Sequence, residues 1–200
     1  MTGKTHLSVG ISAFMYLSDK LPGKYAFLSL IFAAIGSLFA DIDHPKSIIN
    51  KYLLPFRNNR NKVIFYLTVG IVLLYLDDKY MTSMVVKIAG LSSIMIGLSS
   101  HRNGFTHSIF GMLIFTLIVL TFGKTYNFEN IYIYFFVGYI LHLICDMCTK
   151  KGVPLLYPIN NKKMKFPLAY SSNSKRGKLT EEIVVLCCII YCTLKLPTLF

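Results

Sequence analysis

Long apolar runs recur along the whole chain at residues 7–17, 25–40, 63–76, 81–98, 105–122, 131–145 and 183–196, and only short polar segments separate them. Runs of this length and spacing read as helices, because strands are usually about 5–6 residues long. A soluble helical domain needs a polar outer face on most of its helices. The stretch 109–122, IFGMLIFTLIVLTF, offers none. The chain is 54% hydrophobic and only 15% charged, where a soluble domain is nearer a quarter charged. The expected fold is therefore all-α: a multi-pass transmembrane bundle of about six to seven apolar helices in a single membrane-embedded domain, residues 1–200. Several runs are shorter than the roughly 20 residues that cross a bilayer, so each must extend into its polar flanks.

The first run follows Lys4 and could be taken for a signal peptide. No small-x-small cleavage site follows it, and Ser18, Asp19 and Lys20 end it, so it reads as a retained helix. The five cysteines, Cys145, Cys148, Cys187, Cys188 and Cys192, lie within or at the ends of apolar runs. An odd count without scaffold spacing argues against a disulfide framework. The formal net charge is +12. No groove-reading motif or aromatic RNA-binding signature accompanies it, so no nucleic-acid partner is expected and the charge reads as topology and anionic lipid.

If each run crosses once, His6, Asp41, Asp43, His44, His101, His107, His142 and Asp146 all fall on one side of the membrane. That side also collects fifteen Lys and Arg residues, mostly in 41–62 and 150–178, against four on the other. The positive-inside rule makes it the cytoplasmic side. The N-terminus is therefore expected in the cytoplasm.

All five histidines sit at those cytoplasmic ends, together with three of the nine acids. A single histidine at a helix end is ordinary. Eight His and Asp positions gathered on one face need a common cause, and metal coordination uses this residue mix directly. His142 and Asp146 are four apart and share a helical face, while Asp41 and His44 are three apart. Pro45 disfavours helix at His44 and so favours a helix end there, which would bring Asp43 round. Asn103-Gly104 permits a turn between His101 and His107. The expected ligands are His6, Asp41, Asp43, His44, His107, His142 and Asp146. They would hold one to three divalent ions, with Zn2+ first and Mn2+ or Fe2+ as alternatives. His101 is a candidate general acid or a further ligand, and Arg102 a candidate phosphate-binding side chain. Thr106, Ser108 and Thr149 are candidate hydrogen-bond partners of the ligands.

The blocks Thr5-His6, Asp41-Ile42-Asp43-His44-Pro45, His101-Arg102-Asn103-Gly104-Phe105-Thr106-His107-Ser108 and His142-Leu143-Ile144-Cys145-Asp146 resemble those of the YdjM-type membrane-bound metal-dependent hydrolases. The resemblance covers residues 1–158 and leaves 159–200 as a basic loop plus a C-terminal apolar helix. It implies an inner-membrane helical protein with hydrolase activity. A remoter likeness, to the all-helical zinc phospholipase C and P1 nuclease group, is limited by the single H-x-x-x-D pair. The expected reaction is hydrolysis of a phosphoester on a lipid or lipid-linked substrate, with anionic membrane lipids as partners. Two rivals stand beside it: a metal or proton transporter, and a membrane protein whose metal only ties helices together. Transport sites lie near the midplane, whereas these residues gather at one interface.

Overall fold

The computed structural model describes residues 1–18, 20, 26–99, 104–128 and 130–198. Among them the chain forms eight α-helices: α1 (Gly3–Leu17), α2 (Ala26–Phe39), α3 (Ile48–Leu53), α4 (Asn59–Leu76), α5 (Met84–Leu98), α6 (Ile109–Thr125), α7 (Ile131–Met147) and α8 (Lys175–Lys195). No strand occurs among the described residues, only two isolated bridges in the loop before α8. The architecture is all-α, as expected. Seven of the helices coincide with the seven apolar runs.

The most extensive pairings are α2 with α7 and α4 with α5; α1 lies against α2, α7 and α8. The α2–α7 contact is close because small residues face each other across it. A Cβ on Gly138 would run into the Ala33 carbonyl and the Ser37 amide, and one on Gly36 into the Phe135 carbonyl. Removing side chains at such a seam lets backbones approach. Here it carries the α7 residues at 142–146 up to the end of α2. Beside the seam, Phe105, Met112, Phe115, Phe135, Tyr139 and Leu143 form a buried apolar cluster with Ala40, Ile42, Tyr66 and Ile96.

The outer surface is apolar on several helices. Phe27, Ile64, Ile71, Met84, Leu91, Leu98, Leu113, Leu186 and Leu194 are all exposed. Most of the helices are short, however. At about 1.5 Å per residue, α2, α4, α6 and α7 are about 21–27 Å long, against a hydrocarbon core of about 30 Å. Among the described residues no helix is long and apolar enough to cross a membrane. The expectation that each apolar run crosses the bilayer once is therefore not carried by these helix lengths.

Candidate metal centre

Four segments deliver the centre, each held by identifiable contacts. After Phe39 the chain tightens into a 3-10 turn, Ala40–Asp43, and His44 leaves it with extended backbone (φ −94°, ψ 120°), as a residue before proline should. The buried Asn50 side chain fixes this turn. Its Nδ2 donates to the carbonyls of Ile42 (2.7 Å) and His44 (2.8 Å), and its Oδ1 accepts from Tyr66 (2.7 Å). A second 3-10 turn, Phe105–His107, precedes α6. Tyr139 on α7 donates its hydroxyl to the Thr106 carbonyl at 2.6 Å and so anchors it. The Ser108 side chain caps α6 by accepting from Gly111 N. α1 and α7 are regular helices that supply His6, His142 and Asp146.

Asp41, His107, His142 and Asp146 converge. One donor atom from each lies within 4.8 Å of the other three. His107 Nε2 is 3.5 Å from Asp41 Oδ1 and 3.4 Å from Asp146 Oδ2; His142 Nε2 is 3.7 Å and 3.6 Å from the same two oxygens. These separations are long for hydrogen bonds. They are close to the edge of a tetrahedron: bonds of about 2.0–2.1 Å to a central zinc give edges of about 3.3–3.4 Å. The donor set, two imidazoles and two carboxylates, suits the same ion. The four side chains can hold a metal ion.

The surroundings favour that use. His142 Nδ1 donates to the Ser37 carbonyl at 2.7 Å. This puts the ring proton on Nδ1 and leaves the Nε2 lone pair facing the centre, where Nε2 has no hydrogen-bond partner. On His107, Nδ1 lies 3.2 Å from Thr106 Oγ1, which donates to Asp43 Oδ2 at 2.8 Å. With Nε2 turned to the centre, Nδ1 keeps the proton and donates to Thr106 Oγ1, which donates in turn to Asp43. Burial pushes the Asp41 carboxyl up, but in the metal-free state positive charge on the facing His142 and His107 rings outweighs it and holds the group below the usual carboxylate range.

The remaining expected residues fall around this group. His6 is buried and stacks on His142, with ring centroids 3.7 Å apart. Its Nε2 is 3.4 Å from Asp146 Oδ1. The same oxygen meets the terminal amine of Met1 at 2.7 Å. Asp146 therefore faces both ways, Oδ2 toward His107 and His142 and Oδ1 toward His6. Asp43 stands behind His107 with Oδ2 3.8 Å from Nδ1. The half-buried His44 lies outside the four-residue group. His101 and Arg102 lie outside the described residues. Thr149 donates to the Asp146 backbone carbonyl, while Ser108 serves its own helix cap.

Three contributors had no signal in the sequence. The Ser37 carbonyl is backbone, and any residue would supply one. Tyr139 looks like one more aromatic on an apolar helix. Asn50 sits in what reads as a loop.

The chain is similar to "Uncharacterized protein YvsG" of Bacillus subtilis (strain 168), 27% identical over 190 residues, which cover 92% of this chain and 88% of that protein. No solved structure matches it. The model of one family, described as YdjM inner membrane protein, matches residues 1–198, and a match over nearly the whole length means that the chain belongs to that family.

Proposed function

We propose that the chain is a membrane-bound, metal-dependent hydrolase of the phosphoesterase type, acting on a lipid or lipid-linked substrate at the cytoplasmic leaflet. The observation that carries this reading is the set of four donor atoms at tetrahedral-edge separations. Asp146 Oδ1 with His6 supplies the start of a second position, so one to three ions are proposed, zinc first. A bound divalent ion supplies water activation near neutral pH and stabilises charge on phosphoryl oxygens. The chain's own residues do the rest. His142 and His107 are held in the right tautomers by Ser37 and Thr106. Asp41, 16% exposed at its side chain where the other three are at 0%, is the side from which a substrate reaches the centre. On sequence grounds alone, His101 is assigned proton transfer and Arg102 the phosphoryl contact.

The apolar outer surface supports membrane embedding, since exposed apolar area of this extent is unusual on a soluble monomer. The proposed topology is multi-pass with a cytoplasmic N-terminus, the bilayer thinning around short helices. It rests on the fifteen-to-four basic asymmetry. Single cysteines introduced into 46–62 or 150–178, on a background without native cysteines, should resist an impermeant thiol reagent in intact cells. Labelling from outside would reverse the orientation.

A structural ion is the second reading, because four protein donors close a tetrahedron, whereas catalytic zinc keeps a position open. Phosphate release from a panel of short-chain lipid phosphoesters separates the two. The expected result is release that disappears with a chelator and returns with Zn2+. Full metal content with no release from any phosphoester leaves the structural reading in place.

A further inference from the structure

A cavity of about 420 Å³ lies at the start of α4, beside the metal centre; Asp43, Asn59, Lys62, Gly97 and Ser99 are among its lining residues. We propose that it is an anion subsite that takes a phosphate group of the substrate other than the one hydrolysed, built on the Lys62 ammonium and the Ser99 hydroxyl.

Lys62 is 1% exposed. Lysine is almost never buried so fully unless paired. Its Nζ offers three hydrogens but donates one hydrogen bond, to the Ser99 carbonyl at 2.6 Å. No carboxylate stands within ion-pair distance of it among the described residues. The Ser99 hydroxyl is also buried and has no hydrogen-bond partner. Two donor groups short of acceptors thus line one cavity. The first turn of α4 adds the positive end of an 18-residue helix. Burying a cation and idle donors costs stability that one carbonyl contact and the through-space charge of Asp43, on the same cavity wall, return only in part. An anion with several acceptor oxygens would satisfy all three.

Position relates the cavity to the metal centre. Asp43, on its wall, accepts from Thr106 and lies 3.8 Å from His107 Nδ1. Asp43 and the His107 ring therefore stand between the cavity and the four-residue group, so an anion held here sits behind a candidate metal ligand, on the side of its Nδ1. The Asp43 carboxylate would repel a dianion, but it is engaged by Thr106 on the side of His107. A purely structural role, Lys62 capping the last turn of α5, accounts for the Ser99 carbonyl. It leaves the remaining ammonium hydrogens and the Ser99 hydroxyl unexplained.

The subsite takes its purpose from the hydrolase reading, but its test does not depend on turnover. Calorimetric titration of inorganic phosphate into the metal-loaded full chain in detergent should show one site. Lys62→Met should weaken it about ten- to a hundredfold at unchanged metal content, the range for losing a charge-assisted contact. Lys62→Arg should retain most of the affinity, and Ser99→Ala should lose several-fold. A short-chain phosphatidate that binds more tightly than phosphate, with the same dependence on Lys62, identifies a lipid headgroup as the ligand; equal affinities identify phosphate itself. The proposal is overturned if the wild-type chain binds no phosphate, or if Lys62→Met and Ser99→Ala both bind like wild type, as they would if phosphate sat on the metal alone. Should Lys62→Met fail to fold, wild-type affinity in Ser99→Ala overturns it. Lys62-dependent phosphate binding without any phosphoester hydrolysis keeps the subsite and removes the hydrolase reading.

Discussion

Asp146→Ala should abolish stoichiometric metal binding, the largest loss expected of any single substitution in the chain. Asp146 offers one carboxylate oxygen to each half of the centre. Oδ2 stands 3.4 Å from His107 Nε2 and 3.6 Å from His142 Nε2, and Oδ1 stands 3.4 Å from His6 Nε2. The truncation removes a donor, a negative charge and the bridge between the two sides. A four-ligand zinc site is worth about 10–16 kcal/mol, so one ligand contributes on the order of 3 kcal/mol, or about two decades of affinity. Losing the bridge adds to that. Asp43→Asn is the matched comparison. Asp43 acts through Thr106 and His107, and supports of this kind are worth about 10–100-fold. Elemental analysis after chelator-free purification should show Asp146→Ala essentially empty and Asp43→Asn depleted. An Asp146→Ala protein that keeps a full equivalent of metal would remove this residue from the centre.

The helices were legible because their signal is local. Seven apolar runs needed only length and composition to be read. α3 was missed because it has six residues and no apolar run; it exists because Ser47 caps it and Asn50 is buried under Tyr66. The pair His142 and Asp146 was legible because α7 is regular and a spacing of four puts both on one face. Asp41 and His107 could be named from composition, but their approach to that pair could not be derived. Both sit on 3-10 turns, where helical spacing stops predicting faces. His44, three residues from Asp41, was expected beside it. It departs from the group because Pro45 turns the backbone out of the helix at that residue. The seam glycines Gly36 and Gly138, which bring α2 onto α7, carry no chemistry and gave no warning. Lys62 registered only as one of fifteen basic residues. Its burial depends on α4 packing against α5, which no local pattern encodes.

Withdrawing the metal should lower the midpoint of thermal denaturation by about 10 °C. The centre gathers ionisable groups that are scarcely exposed: His6, Asp43, His107, His142 and Asp146 are each at 0–1%. Buried carboxylates are tolerated when a cation compensates them. Without the ion, Asp41 and Asp146 face each other's field across an apolar interior, and the imidazoles and the Met1 amine are left to offset it. Mass action sets the scale. An ion present at a thousand times its Kd stabilises the folded state by about 4 kcal/mol, and for a chain of this length each kcal/mol moves the midpoint by about 2–4 °C. The expected shift is therefore about 8–16 °C. Zn2+ added to the chelated protein should restore the original midpoint. Asp146→Ala supplies the internal control: having no centre to empty, it should melt low from the start and not respond to chelator. The measurement is a pair of melting curves in one detergent, before and after exhaustive dialysis against a strong chelator, with metal content verified in each sample. Equal midpoints for loaded and stripped wild-type protein would mean that these residues are not held together by an ion. The four donor atoms would then need another cation, and protonated His107, ringed by Asp41, Asp43 and Asp146 at 3.4–3.8 Å, would be the first place to look.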